Sequence, residues 1–210
     1  MLGSPICTGC RWEFNVTNWE HVSFIEIWNR MKPDEKFQSE EAYDFWRELL
    51  KQGHQIAPSS GKDWHSLEKE DENTAVTYVG LEKDTEIESS TIAEAIEKGR
   101  IYVTLGPRID VSLTVDGEIF HLGETARKGS GMLQLEVFKP SIPTLETFSF
   151  IPRSYRILQS EEVIYELDVT EEVINLPVEL EAGYIRVELI GDAKGKADQR
   201  LTITSPIYVD

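Results

Sequence analysis

The sequence is poor in the residues on which metalloenzymes and disulfide-rich secreted proteins depend. It has two cysteines, Cys7 and Cys10, and four histidines, His21, His54, His65 and His121. A single CxxC pair cannot make a disulfide framework, and zinc would need two further ligands from elsewhere. A thioredoxin-like redox pair needs a βαβ setting that the opening residues lack. Two reduced, partly buried thiols are the plainer reading, and they suit a cytoplasmic protein. No HxH pair occurs in the chain. No apolar run approaches the roughly 20 residues of a membrane-crossing helix. Met1-Leu2-Gly3-Ser4-Pro5 carries neither a basic nor an apolar stretch, so no secretory leader is expected. Internal repeats and low-complexity tracts are missing as well.

Basic residues are scarce: 21 Lys and Arg stand against 38 Asp and Glu, a net charge of −17. The imbalance is even, with 12 basic and 21 acidic groups in residues 1–110 and 9 and 17 in residues 111–210. No part is a basic module, and a general nucleic-acid binder would repel phosphate. A metal site could still handle an anionic substrate, because a bound cation can dominate its local field. Hydrophobic residues at 40% and charged residues at 28% give an ordinary globular balance. The 210 residues suffice for one large domain or two small ones.

The first half reads as α/β. Val22–Trp28 is short, β-branched and aromatic, which predicts a buried strand ending at Asn29. Ser39 precedes early acids and an apolar stripe at Ala42, Phe45, Trp46, Leu49 and Leu50, closed by Gly53. This predicts a helix with a serine cap. His54–Ala57 reads as a strand, Ser59–Ser66 as the loop at its end, Thr74–Leu81 as another strand and residues 89–98 as a helix. From Ile101 the pattern changes. Ile109–Val115, Met132–Phe138, Thr147–Ile151, Val163–Val169, Val173–Leu180, Tyr184–Ile190, Leu201–Thr204 and Ile207–Val209 read as short strands. Turn signals such as Asp116-Gly117 and Gly191-Asp192 separate them. That spacing predicts an antiparallel sandwich over residues 106–210, with Ile101–Leu105 leading into it.

Asp63-Trp64-His65, in a small-residue loop after a strand, is the strongest chemical signal. A carboxylate and an imidazole two residues apart can both face a metal, and a strand end can hold them fixed. The alternative is a capping aspartate beside a satisfied histidine.

Four segments in order resemble the carbaryl-hydrolase-like group of the PHP (polymerase and histidinol phosphatase) family. They are Gly3-Ser4-Pro5…Cys10-Arg11-Trp12, Ile25-Glu26-Ile27-Trp28-Asn29, Ser60-Gly61-Lys62-Asp63-Trp64-His65-Ser66 and Gly99-Arg100-Ile101-Tyr102-Val103-Thr104-Leu105-Gly106-Pro107. The resemblance spans nearly the whole chain. It implies that residues 1–105 are the carboxyl-terminal part of a distorted β/α barrel and that a β-sandwich follows. It also implies a cluster of divalent metals (zinc, manganese or iron) at the strand ends, where metal-activated water hydrolyses a small-molecule phosphate or similar ester. Asp63 and His65 would be metal ligands. Glu26 and Asn29 would stand behind them or at the edge of the core, the plainer reading. Lys62 would attract a phosphate or be an ordinary surface lysine. No catalytic residue is assigned.

The departures from that pattern matter as much. The family's HxH motif and its next acid and histidine have no counterpart here, and Ser4 stands where the family has a histidine. Two protein ligands cannot hold a hydrolytic cluster. The expectation is therefore a barrel whose first strands lie upstream, inactive on its own. The alternative is a non-catalytic scaffold whose sandwich binds carbohydrate or a protein partner. Missing barrel strands would leave a parallel edge open, from which self-association is expected. His21, His54 and His121 read as structural. The five tryptophans, all within residues 12–64, read as barrel-wall packing rather than a base-stacking platform.

Overall fold

The computed structural model describes residues 2, 3, 5, 6, 9, 12, 16, 18–29, 37–62, 75–138, 150–169, 173–193 and 195–210. Strand β1 (Phe24–Asn29) is short, and Ile25, Ile27 and Trp28 within it are almost fully sealed from solvent. It pairs in parallel with β2 (Ala57–Gly61), and helix α1 (Phe37–Lys51) connects the two. Parallel neighbours need such a crossover, because a tight turn can only reverse the chain. On the other side of β1, Leu2 adds a parallel bridge to Ile25, its N–H 3.0 Å from the Phe24 carbonyl.

The buried residues of α1 are Ser39, Ala42, Tyr43, Trp46, Leu49 and Leu50, a stripe at helical spacing. Ser39 is not the cap: the helix starts at Phe37, so Ser39 already lies in the first turn, 3% exposed. Gly53 closes the helix as expected. Its φ of +87° lets the His54 N–H reach the Leu49 carbonyl at 3.1 Å. The following strand lies later than His54–Ala57. Ser59, Ser60 and Gly61 belong to β2, because their pairing with β1 gives these small residues the backbone partners a loop would lack. The His54 ring instead stands 5.7 Å from that of Trp19.

Strand β3 (Val76–Val79) and β4 (Ile101–Thr104) flank α2 (Ser89–Glu97) and pair antiparallel. All four residues of β4 are buried, because β4 lies between β3 and a strand of the sandwich. The remaining strands are β5 (Arg108–Val115), β6 (Glu118–His121), β7 (Thr125–Ala126), β8 (Gly129–Phe138), β9 (Phe150–Gln159), β10 (Glu162–Asp168), β11 (Val173–Leu180), β12 (Gly183–Ala193), β13 (Lys196–Thr204) and β14 (Ile207–Val209). Among the described residues they form a four-stranded sheet, β11-β8-β5-β6. A larger sheet runs β10-β9-β12-β13-β4-β3, with β14 on β12 and β7 on β14. The larger sheet thus crosses the division expected at residues 105 and 106.

The protein is mostly β, with antiparallel sheets arranged as a sandwich. Leu113, Leu133 and Leu135 of the small sheet share one apolar core with Ile157, Val187, Leu189, Leu201 and Ile203 of the large one. Strand β12 is buried on both faces. Ile185, Val187 and Leu189 serve this core, while Tyr184, Arg186 and Glu188 alternate with them on the side covered by α1. Helix α1, the large sheet and the small sheet are therefore three layers. Among the described residues no helix is long and apolar enough to cross a membrane.

Candidate functional site

In open α/β units ligands gather at the carboxyl ends of parallel strands. At that end of β1 and β2 the register places Glu26 beside Ser59 and Asn29 beside Gly61, with an irregularity between Glu26 and Trp28. The shift brings Glu26 and Asn29 together: the Asn29 side-chain N–H donates to Glu26 Oε1 at 2.5 Å. The Glu26 carboxyl group lies against Gly61. A Cβ at residue 61 would stand 2.9 Å from the carboxyl carbon, so a larger residue there would push the Glu26 carboxyl group aside. On the other side of β2 the Ser60 N–H donates to Thr77 Oγ1 at 2.9 Å, which ties β2 to β3. Trp28 Nε1 and Ser59 Oγ are buried without a hydrogen-bond partner among the described residues.

Of the residues singled out in the sequence, Glu26, Asn29 and Lys62 thus lie at one edge. Lys62 directly follows β2 and is half-buried. Asp63 and His65 lie outside the described residues. A divalent metal needs at least three donors. Among the described residues no three His, Cys, Asp or Glu side chains converge, and Glu26 already accepts a bond from Asn29. The described residues alone do not make a metal centre.

A second polar cluster, which the sequence patterns did not reveal, lies where α1 crosses β12. Arg186 is fully buried, and its Nε and Nη2 each donate to one oxygen of Glu161 at 2.7 Å. Its Nη1 donates to Glu188 Oε1 at 2.7 Å, and Nη2 also donates to the Tyr43 hydroxyl at 2.8 Å. The Tyr43 hydroxyl in turn donates to Glu188, and Arg47 Nε to Glu161. The guanidinium of Arg200 stands 4.3 Å from the Tyr43 ring centre and holds both oxygens of Glu40, at 2.7 and 2.9 Å.

Burial pushes the Tyr43 hydroxyl far above the usual tyrosine range, and Glu188 adds to the push against the opposing Arg186. Burial also acts to raise Glu161, but its bonds from Arg186 and Arg47 outweigh that and hold it below the usual carboxylate range. Glu188 behaves alike, held down by Arg186 and Tyr43. Every carboxylate here faces a cation, so the cluster fastens the helix to the sheet and holds no group poised to react. Nothing in the sequence distinguished it, because Arg186 and Glu188 alternate with apolar neighbours as solvent-facing strand residues do.

No protein-family model matches the chain, and no curated protein matches it.

Proposed function

We propose that this chain is the carboxyl-terminal part of a PHP-type metal-dependent phosphoesterase, its first residues belonging to a β/α barrel. The supporting observation is the parallel β1–α1–β2 unit, whose register puts Glu26, Asn29 and Gly61 at one carboxyl edge, two residues before Asp63. On this reading Asp63 and His65 bind a divalent ion (zinc, manganese or iron), and further ligands come from outside these 210 residues. The ion would supply activated water and charge stabilisation for a phosphate ester. Glu26 and Asn29 brace the edge, and Lys62 attracts the phosphate.

Equilibrium dialysis against zinc and manganese tests the proposal. This chain should bind less than one equivalent weakly, and both Asp63→Asn and His65→Ala should abolish that binding. Metal uptake indifferent to both substitutions would overturn the assignment. Self-association through the open parallel edge belongs to the same proposal, and a monodisperse monomer in light scattering would remove it. A non-catalytic binding module is the second reading, and a cleft on the sandwich favours it.

A further inference from the structure

The outward face of the small sheet is ordered into rows that cross its strands. The register aligns Asn175 of β11, Gln134 of β8, Ser112 of β5 and His121 of β6. Two residues along, Pro177, Met132, Thr114 and Ile119 align in the same way. On the other side stand Val173, Glu136 and Asp110. The intervening residues Val111, Leu113, Leu133 and Leu135 are buried, so the rows share the solvent side. The middle row consists of two amides, a hydroxyl and an imidazole, with no carboxylate or ammonium. In a chain with 38 acidic residues this is a distinct chemistry. The row beside it exposes Met132 at 42% and Ile119 at 58%.

A wall rises over one end of these rows. Arg100 donates to Glu82 at 2.8 Å and to Glu124 at 2.7 Å. Two glycines hold it there: a Cβ on Gly123, whose φ is +83°, would stand 1.8 Å from the Lys98 carbonyl oxygen, and Gly99 packs against Gly123 itself. Wall and sheet enclose a cleft of about 440 Å³ with Leu81, Arg100, Ser112, His121, Gln134 and Glu136 in its lining. That volume lies within the roughly 300–1,000 Å³ of small-molecule sites.

The lining discriminates among ligands. A phosphate would meet three carboxylates, Glu82, Asp110 and Glu136, against Lys83 and an Arg100 whose charge is already shared between two carboxylates. A metal ion would find no group of three ligating side chains among the described residues. A purely apolar ligand would strip water from the amide row without replacing its hydrogen bonds. Hydroxyl groups both donate and accept, as the row does, and the C–H faces of a sugar ring suit the apolar row beside it. Four strands at about 4.8 Å spacing make the row roughly 14 Å long, which continues the cleft across the sheet and suits a chain of sugars.

We propose that the cleft and the rows it opens onto bind a neutral oligosaccharide. This stands apart from the metal reading, which dialysis tests separately. Affinity electrophoresis of the 210-residue chain uses native gels cast with cellulose ether, xylan, galactomannan or starch, and with polygalacturonate and heparin as charged comparators. At least one neutral polysaccharide should retard the chain. Ser112→Ala with Gln134→Ala should weaken that binding about tenfold, since two hydrogen bonds are lost. Gln134→Glu should weaken it too, while Arg153→Ala, on β9 in the other sheet, should leave it unchanged. Near-UV circular dichroism confirms that each variant is folded. Unchanged mobility in every neutral gel, equal retardation of the variants, or retardation by polyanions alone would overturn the proposal.

Discussion

Two polar surfaces of this protein differ in how completely they are closed. Between α1 and β12, Tyr43, Glu161, Arg186 and Glu188 satisfy one another inside a buried seam. On the outer face of the small sheet, Asn175, Gln134 and His121 stand exposed, with Ser112 half-buried among them, all beside an open cleft. A buried charge is tolerable only with its partners in place, so the first surface holds the architecture together. Exposed hydrogen-bonding groups cost nothing to leave in water and remain free to exchange it for a ligand, so the second is fit for recognition. Polarity alone does not mark a site; the state of its partners does.

The contrast is sharpest at Arg186. Arg186→Met should leave Glu161 and Glu188 buried without their main cation and lower stability by about 3–5 kcal/mol, measured by urea unfolding at neutral pH. A loss near zero would mean that the seam is wet. Gly123→Ala should cost about 1–3 kcal/mol through its positive φ and its collision with Lys98, and should weaken saccharide binding by displacing Arg100. Tyr43→Phe keeps the ring and removes the hydroxyl shared by Arg186 and Glu188, a loss of about 1–2 kcal/mol. Lys98→Ala breaks only an exposed pair with Glu94 and should not move the unfolding midpoint measurably.

The seam also predicts a pH dependence. Glu161 and Glu188 are held below the ordinary 4.5 in the folded state. Their contribution is therefore complete above 4.5 and is lost as pH falls through their depressed folded values. Urea midpoints should stay level from neutrality to about pH 5 and drop on further acidification. In Arg186→Met, where the main source of the depression is removed, that acid limb should flatten. An identical acid limb in both proteins would place the titrating groups elsewhere.

Much of this architecture was legible in the chain itself. Ile109–Val115, Met132–Phe138 and Val173–Leu180 alternate apolar and polar residues between turn signals, and β5, β8 and β11 lie there. Asp116-Gly117 joins β5 to β6 with φ positive at both residues, as a two-residue hairpin requires. Strand β9 was read only near its start. Pro152 and the arginines 153 and 156 break its pattern, and only pairing with β10 and β12 makes it a strand. At positions 186 and 188 alternation misleads, because the face that strand periodicity assigns to solvent is covered by a helix more than 130 residues earlier. The antiparallel pairing of β3 with β4 was likewise not visible, since a strand, helix and strand in series reads the same for either direction. Of the site residues, Glu26 and Asn29 meet at the edge where the strand pattern put them, and Asp63 and His65 fall outside the described residues.

The seam carries a consequence for synthesis. Tyr43 and Glu188 are separated by 145 positions. Helix α1 leaves the ribosome well before β12, and its Tyr43 side stays without Arg186 and Glu188 until that strand has emerged. Contacts this distant in sequence slow folding and lengthen the interval in which a nascent chain can stick to others. The closing of the Arg186 latch is thus a late step, set by the arrival of β12 rather than by the formation of the helix.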